Sequence, residues 1–355
     1  MTSVKQHKRL AAGVGFLTAG VLLLMAARCL PGFSQWYVTK IYPLLVGSIG
    51  RLSGMVLFSI VEVILYILIV IIIAMVIITF RKKQFYNLFA NIFIIASVLF
   101  FLYCSNCGVN YYRTSFADNQ GYDAGSYSVE ELKETCEWLT GKVNDWAVCV
   151  NRDDEGVMYL SVNEQEEAVK VMNNLGEIYP ELAGYYPRPK ALYNHWILSV
   201  QQLSGIYSPF TVEANYNGQM TDYNIPLTVC HELSHLKGFM QEEEANFIAF
   251  LACLQSEEAD FQYGGYLLGW IHCMNLLYRT EYEAWEEIRA ELSCKVEYDL
   301  KANSAFWDKY DGAVAEVADR INDTYLKANG QKDGVKSYGR MADLIVIYYL
   351  KNMRA

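Results

Sequence analysis

The chain has 355 residues, 53% of them hydrophobic, and a formal net charge of −10, a length that permits one or two ordinary domains. The charge is divided unevenly: of 29 basic and 39 acidic residues, nine basic and one acidic lie in residues 1–103, and the rest of the chain carries a net −18. An acid-rich remainder of that size repels phosphate backbones and sets nucleic acid aside as a partner.

Three stretches of the basic third read as membrane spans, at about 10–27, 55–80 and 85–103, each near the roughly 20 residues needed to cross the hydrocarbon core. Ala26-Ala27-Arg28-Cys29 is a poor cleavage site for a signal peptide, so the first stretch is expected to stay as an anchor. Lys5, Lys8 and Arg9, and the turn Arg81-Lys82-Lys83, are the basic clusters. By the positive-inside rule they lie in the cytoplasm. Three crossings then place residues 108–355 outside. The expectation is a multi-pass protein of the cell membrane with the bilayer as one partner, residues 1–107 as anchor, and 108–355 as an extracytoplasmic domain. Glu62, the acid of the second span, is expected near its outer end, where the carboxylate can reach the interface. Cys104 and Cys107 have CxxC spacing without a second pair, which points to a disulfide or two packed thiols before a metal site. The other cysteines read as small buried hydrophobes.

Beyond the spans, residues 108–125 read as a linker. Ser128 to Glu131 opens a capping-box helix that runs to about Trp146. Short strands are expected within 148–162, around the turn at Asp153–Gly156, then a helix over 164–179 stopped by Pro180. Strand character follows at 190–193 and 205–217. After Pro226 the pattern is helical throughout, over 227–237, 242–255, 263–278, 280–300, 302–327 and 339–351. The predicted class is α+β and mostly helical, with a small sheet just ahead of the helix that carries the chemistry.

That helix contains His231-Glu232-Leu233-Ser234-His235. Residues i and i+4 share a helix face, so both imidazoles can approach one cation, with Glu232 about 100° round, free to act on a water. Neutral imidazole is a good zinc donor, and a carboxylate beside such a site can serve as general base. Gly238 can end the helix by a left-handed turn. Glu242, Glu243 and Glu244 follow as carboxylates for the third position. Glu242 is favoured because Asn246, four residues on, shares its face and can orient a ligand by hydrogen bonding. Glu244 is the alternative, for ligation or for support of the ligands, and Glu243 points about 100° away.

These residues also carry a resemblance. Thr228–His235, Gly238-Phe239 and Glu242-x-Glu244-Ala245-Asn246-Phe247-Ile248-Ala249 are similar to the core of an uncharacterised bacterial membrane family, domain of unknown function 3810, grouped with zincin-like peptidases. Asn110-Tyr111-Tyr112-Arg113, the run Pro209–Asn217 and Ser337-Tyr338-Gly339-Arg340 match further parts of it. The core also resembles membrane zincins of the CAAX-protease and heat-shock type, whose ligand glutamate precedes Ala-Asp. That pattern implies Glu242 as ligand and Asn246, in place of Asp, beside it. The resemblance implies a zincin-like domain holding one Zn2+ and acting on a peptide or protein substrate. In zincins an edge strand near the metal helix pairs with the substrate, which makes Phe210, Thr211, Glu213 and Asn215 candidate substrate contacts. Tyr338 and Arg340 are candidates for stabilising the oxyanion. The expected activity is zinc-dependent peptide hydrolysis with Glu232 as base. A membrane sensor or scaffold that keeps the fold without cleaving is the alternative.

Overall fold

A computed structural model of the chain describes residues 2–122, 126–329, 331 and 340–354. It divides into two compact units, one of Met1–Arg113 with Ser208–Glu213, the other of Thr114–Tyr207 with Ala214–Ala355.

The first unit contains helices α1 (Thr2–Cys29), α2 (Phe33–Lys40), α3 (Ile60–Lys82) and α4 (Phe85–Tyr103). Three stretches, His7–Cys29, Ile60–Lys82 and Phe85–Tyr112, are long and apolar enough to cross a membrane. α3 starts where the Ser59 hydroxyl accepts the Glu62 N–H and ends at Lys83, in the left-handed region at φ 55°. Along it, Glu62 and Thr79 are the buried side chains, and Glu62 accepts a hydrogen bond from the Tyr66 hydroxyl at 2.7 Å. α1 and α4 pack through small residues: a Cβ at Gly13 would stand 2.7 Å from the Phe93 ring, the close approach that glycine allows between bilayer helices.

Residue 107 is not the end of this unit. The chain leaves α4 through a π-helical turn, Cys104–Gly108, and a 3-10 turn, Asn110–Tyr112, and the division falls after Arg113. The region read as a linker is therefore ordered at its start. Cys104 and Cys107 are buried and, like the other seven cysteines, form no disulfide. The stretch between the first two spans is also helical, with α2 followed by Tyr42–Leu45, a π turn at Val46–Gly50 and Arg51–Ser53.

The second unit begins with α5 (Val129–Ala147) and α6 (Glu164–Ile178). Ser128 and Glu131 form a complete capping box on α5, and Asn163 caps α6 by accepting the Gln165 and Glu166 N–H groups. The sheet has three strands, β1 (Lys190–Ala191), β2 (Gly205–Ser208) and β3 (Glu213–Tyr216), in the order β1-β3-β2. β1 runs parallel to β3, with Lys190 opposite Asn215. The single strand expected over 205–217 is thus two strands. Pro209 has no N–H for a ladder and Val212 takes φ 54°, so the chain turns between them. Within 148–162 the expected strands reduce to one bridge, Arg152 to Met158.

Helices α7 (Ile225–Leu236), α8 (Glu242–Leu254), α9 (Ala259–Thr280), α10 (Tyr282–Ala290), α11 (Cys294–Trp307), α12 (Ala313–Ala328) and α13 (Arg340–Asn352) complete the unit. The helix expected over 280–300 is broken because Ser293 caps α11, its hydroxyl accepting the Lys295 N–H. The core lies where α7, α8, α9 and α13 meet, with Val229, Leu233, Phe247, Phe250, Leu267 and Ile345 all buried.

Candidate metal centre

α7 opens with Pro226 in its first turn, a position where the missing N–H costs nothing. One helical turn separates His231 and His235, and their ring centroids lie 4.4 Å apart. The helix stops at Leu236, and Gly238 at φ 88° reverses the chain. Gln241, extended, then starts α8 with Glu242 as its first residue. This reversal brings Glu242 Oε2 to 3.3 Å from His231 Nε2 and 3.7 Å from His235 Nε2. Donors about 2.1 Å from a tetrahedral zinc stand about 3.4 Å from one another, so the two nitrogen-to-oxygen distances match edges of such a tetrahedron, and the three donor atoms all lie within 4.8 Å of one another. Among the described residues this is the group of three His, Cys, Asp or Glu side chains close enough to share an ion.

His235 Nδ1 lies 2.8 Å from the Phe239 carbonyl. A ring nitrogen facing a carbonyl must donate, so Nε2 is the nitrogen that meets Glu242, as an N–H donor while the ring is protonated and with its lone pair free for a cation once that proton leaves. The electrostatics are those of a tightly paired cluster. Burial lowers the His235 imidazole, but the Glu242 charge and hydrogen bond outweigh it and hold the ring proton up to about 9. Burial would raise the Glu242 carboxyl, and the two imidazoles instead hold it well below the usual carboxylate range. His231 is lowered, chiefly by burial and then by the His235 charge, with Glu242 and the Asn246 side chain acting the other way. A cation in place of these protons would meet a carboxylate already charged.

Glu232 is 4% exposed, and its Oε2 has no hydrogen-bond partner among the described residues. Burial pushes its carboxyl up to about 8, against the pull of the His235 charge. A Cβ on Gly205 would stand 2.4 Å from Glu232 Oε1, so the glycine at the head of β2 leaves the space this carboxylate fills.

The three consecutive acids go in three directions. Glu242 meets the imidazoles. Glu243 pairs with Arg340 Nη2 at 3.0 Å and accepts from the Gln331 amide at 2.8 Å. Glu244 accepts the Ala117 N–H at 3.2 Å. The Arg340 guanidinium is therefore held on Glu243, and Glu244 serves the backbone near Ala117 in place of the imidazoles. Asn246 is the side chain of that group that reaches His231. Tyr338 lies outside the described residues.

The candidate substrate contacts sit elsewhere than an edge strand. Phe210 and Thr211 fall in the turn between β2 and β3, where the Thr211 hydroxyl donates to Ser208 at 2.9 Å. Glu213 accepts the Ile60 and Val61 N–H groups at 3.0 and 2.9 Å, capping α3. Asn215 is buried on the central strand and donates to the Ile206 carbonyl at 3.4 Å. The edges of the sheet are β1 and β2, and on β2 Ile206 is 44% exposed. Gly205 and Ile206 lie within the strand expected over 205–217, but the close approach of Gly205 to Glu232 was missed by reasoning from sequence. The available signal was a glycine at the head of a strand, a mark of close approach by another group.

No curated protein and no solved structure matches the chain. A family model described as a protein of unknown function (DUF3810) matches residues 37–346, and the chain belongs to that family.

Proposed function

We propose that the chain is a membrane-anchored zinc metallopeptidase, with its N-terminus in the cytoplasm and residues 114–355 outside. The observation that carries this reading is the convergence of His231, His235 and Glu242, at 3.3 and 3.7 Å, beside an unpartnered buried Glu232. His231 and His235 would hold the ion through Nε2 and Glu242 through Oε2. When bound, zinc supplies a Lewis acid that makes water a nucleophile near neutral pH. Glu232 takes the proton of the attacking water on its free oxygen and returns it to the departing amine. Burial suits it to both steps, since a carboxyl raised toward neutrality is a stronger base toward water and still holds the proton near neutral pH until the amine takes it. The exposed edge β2 offers main-chain pairing to an extended peptide.

Elemental analysis of purified variants tests this. Wild type is expected to carry one zinc per chain, and His231→Ala to lose it. Glu232→Gln and Gly205→Ala are expected to keep zinc and lose hydrolysis of a mixed peptide library, the second because a methyl group displaces the carboxylate. Zinc absent from wild type ends the metal reading. Zinc present with no loss of function in Glu232→Gln favours a non-catalytic scaffold.

A further inference from the structure

The stretch between the first two spans has an unusual surface for a loop. Leu30, Trp36, Leu44, Leu52, Met55 and Leu57 are each more than half exposed. A patch of that kind is foreign to a water-facing surface of a soluble protein. The same stretch carries Arg28, Lys40 and Arg51 and has no acid from Arg28 to Val61. Exposed apolar side chains interspersed with bases, and no opposing charge, match the boundary between acyl chains and phosphates.

Beneath this surface lies a groove of about 660 Å³, walled by Ala19, Leu23 and Ala26 of α1, Tyr37 and Ile41 of the connecting stretch, and Phe101 of α4. The volume falls in the range of small-molecule sites. Its lining is almost wholly apolar. Of its polar side chains, Tyr37 donates its hydroxyl to the Ser105 carbonyl at 3.0 Å, Ser105 donates to the Phe101 carbonyl at 2.9 Å, and the Asn106 amide donates to the Pro209 carbonyl at 2.7 Å. Water gains nothing there. Two of the three walls are helices long and apolar enough to span a bilayer, so the groove is continuous with a surface that faces lipid.

We propose that residues 30–58 are a bilayer-immersed element, and that the groove they form with α1 and α4 takes an acyl chain of a membrane phospholipid whose phosphate meets the basic residues of this stretch. The alanines at positions 19 and 26 make the hollow, because any larger side chain on that face of α1 would occupy it.

The test uses full-length protein in nanodiscs of phosphatidylcholine and phosphatidylglycerol, with a phospholipid bearing a diazirine at mid-chain. After irradiation, adducts are mapped by peptide mass. Adducts are expected on 19–26, 33–49 and 101–106 as well as on the outward face of α3. The doubly filled variant Ala19→Phe/Ala26→Phe is expected to lose the groove adducts and keep those on α3. Groove adducts that persist in the filled variant, or are absent from wild type while α3 is labelled, overturn the proposal. So do chain-to-chain products at the groove, which would make a second copy the occupant. Should the filled variant fail to fold, spin labels at Leu44→Cys and Leu57→Cys decide. They are introduced after Cys29→Ser, Cys149→Ser and Cys294→Ser remove the exposed thiols. Greater collision with oxygen than with a water-soluble nickel chelate supports immersion, and the reverse order overturns it.

Discussion

Helices α3 and α7 are both rich in apolar residues, yet they sort them in opposite senses. In α3, Ile67, Val70 and Ile73 are 53, 65 and 54% exposed, while Glu62 and Thr79 are buried. In α7, Val229, Cys230 and Leu233 are fully buried, and the exposure that remains belongs largely to His231. The rule that apolar groups leave water governs both. For α3 the medium is hydrocarbon, so its apolar face needs no protein cover and its polar groups must find partners inside. For α7 the medium is water, and the polar groups kept inside are those grouped around the imidazoles. Buried polar residues therefore mark structural repair in one helix and candidate chemistry in the other.

Four single substitutions bear on this contrast, three of them in order of falling effect and Ile71→Ala as the exposed counterpart of the first. Phe247 is buried among the rings of Phe116, Tyr122, Phe250 and Tyr348. Phe247→Ala should cost about 3–5 kcal/mol in denaturant unfolding of the solubilised protein. Ile71→Ala on α3, where the side chain is 44% exposed, should cost about 0.5 kcal/mol or less. Equal losses would break the contrast. Next comes Asp299, fully buried, which binds Arg152 Nη1 at 3.0 and 3.1 Å, the Met158 N–H at 2.7 Å and the Tyr263 hydroxyl. Asp299→Asn leaves the guanidinium without its counter-charge and should cost about 3 kcal/mol, most of it recovered in Arg152→Met/Asp299→Leu. No recovery in the double variant would show that the pair is worth more than its geometry suggests. A smaller effect than that of Asp299→Asn is expected of Glu213→Gln. Ile60 and Val61 each donate to a separate carboxylate oxygen, so the amide keeps one acceptor, turns an NH2 toward the other N–H and removes a negative charge from the helix dipole, a loss of about 1–2 kcal/mol read as a lower midpoint of thermal unfolding.

The mostly helical class, the three spans and the helix bearing the two imidazoles are legible because each rests on local periodicity. Apolar runs of span length need no tertiary information, and an i,i+4 pair shares a face whatever surrounds it. The direction of each acid after Gln241 is not local in this sense. Glu242 was favoured over Glu244 by its spacing to Asn246, but Arg340 and Ala117, which take up Glu243 and Glu244, lie about a hundred residues away in either direction. The turn within 205–217 was hidden for the same reason. Phe210, Thr211 and Val212 have strand character, and contacts with residues far off in sequence, such as the Asn106 amide on the Pro209 carbonyl at 2.7 Å, bend them away from it. The stretch at 30–58 reads as a loop because its helices are short and its apolar residues lack a regular period.

The contact between His235 and the Phe239 carbonyl has a consequence for which ions this pocket would accept. This ring is clamped by main chain before anything arrives, so little of its freedom would be lost on binding. Calcium needs six to eight oxygens at longer range, and magnesium keeps an octahedral water shell. Two imidazoles and one carboxylate would suit both poorly and would favour the compact borderline transition ions.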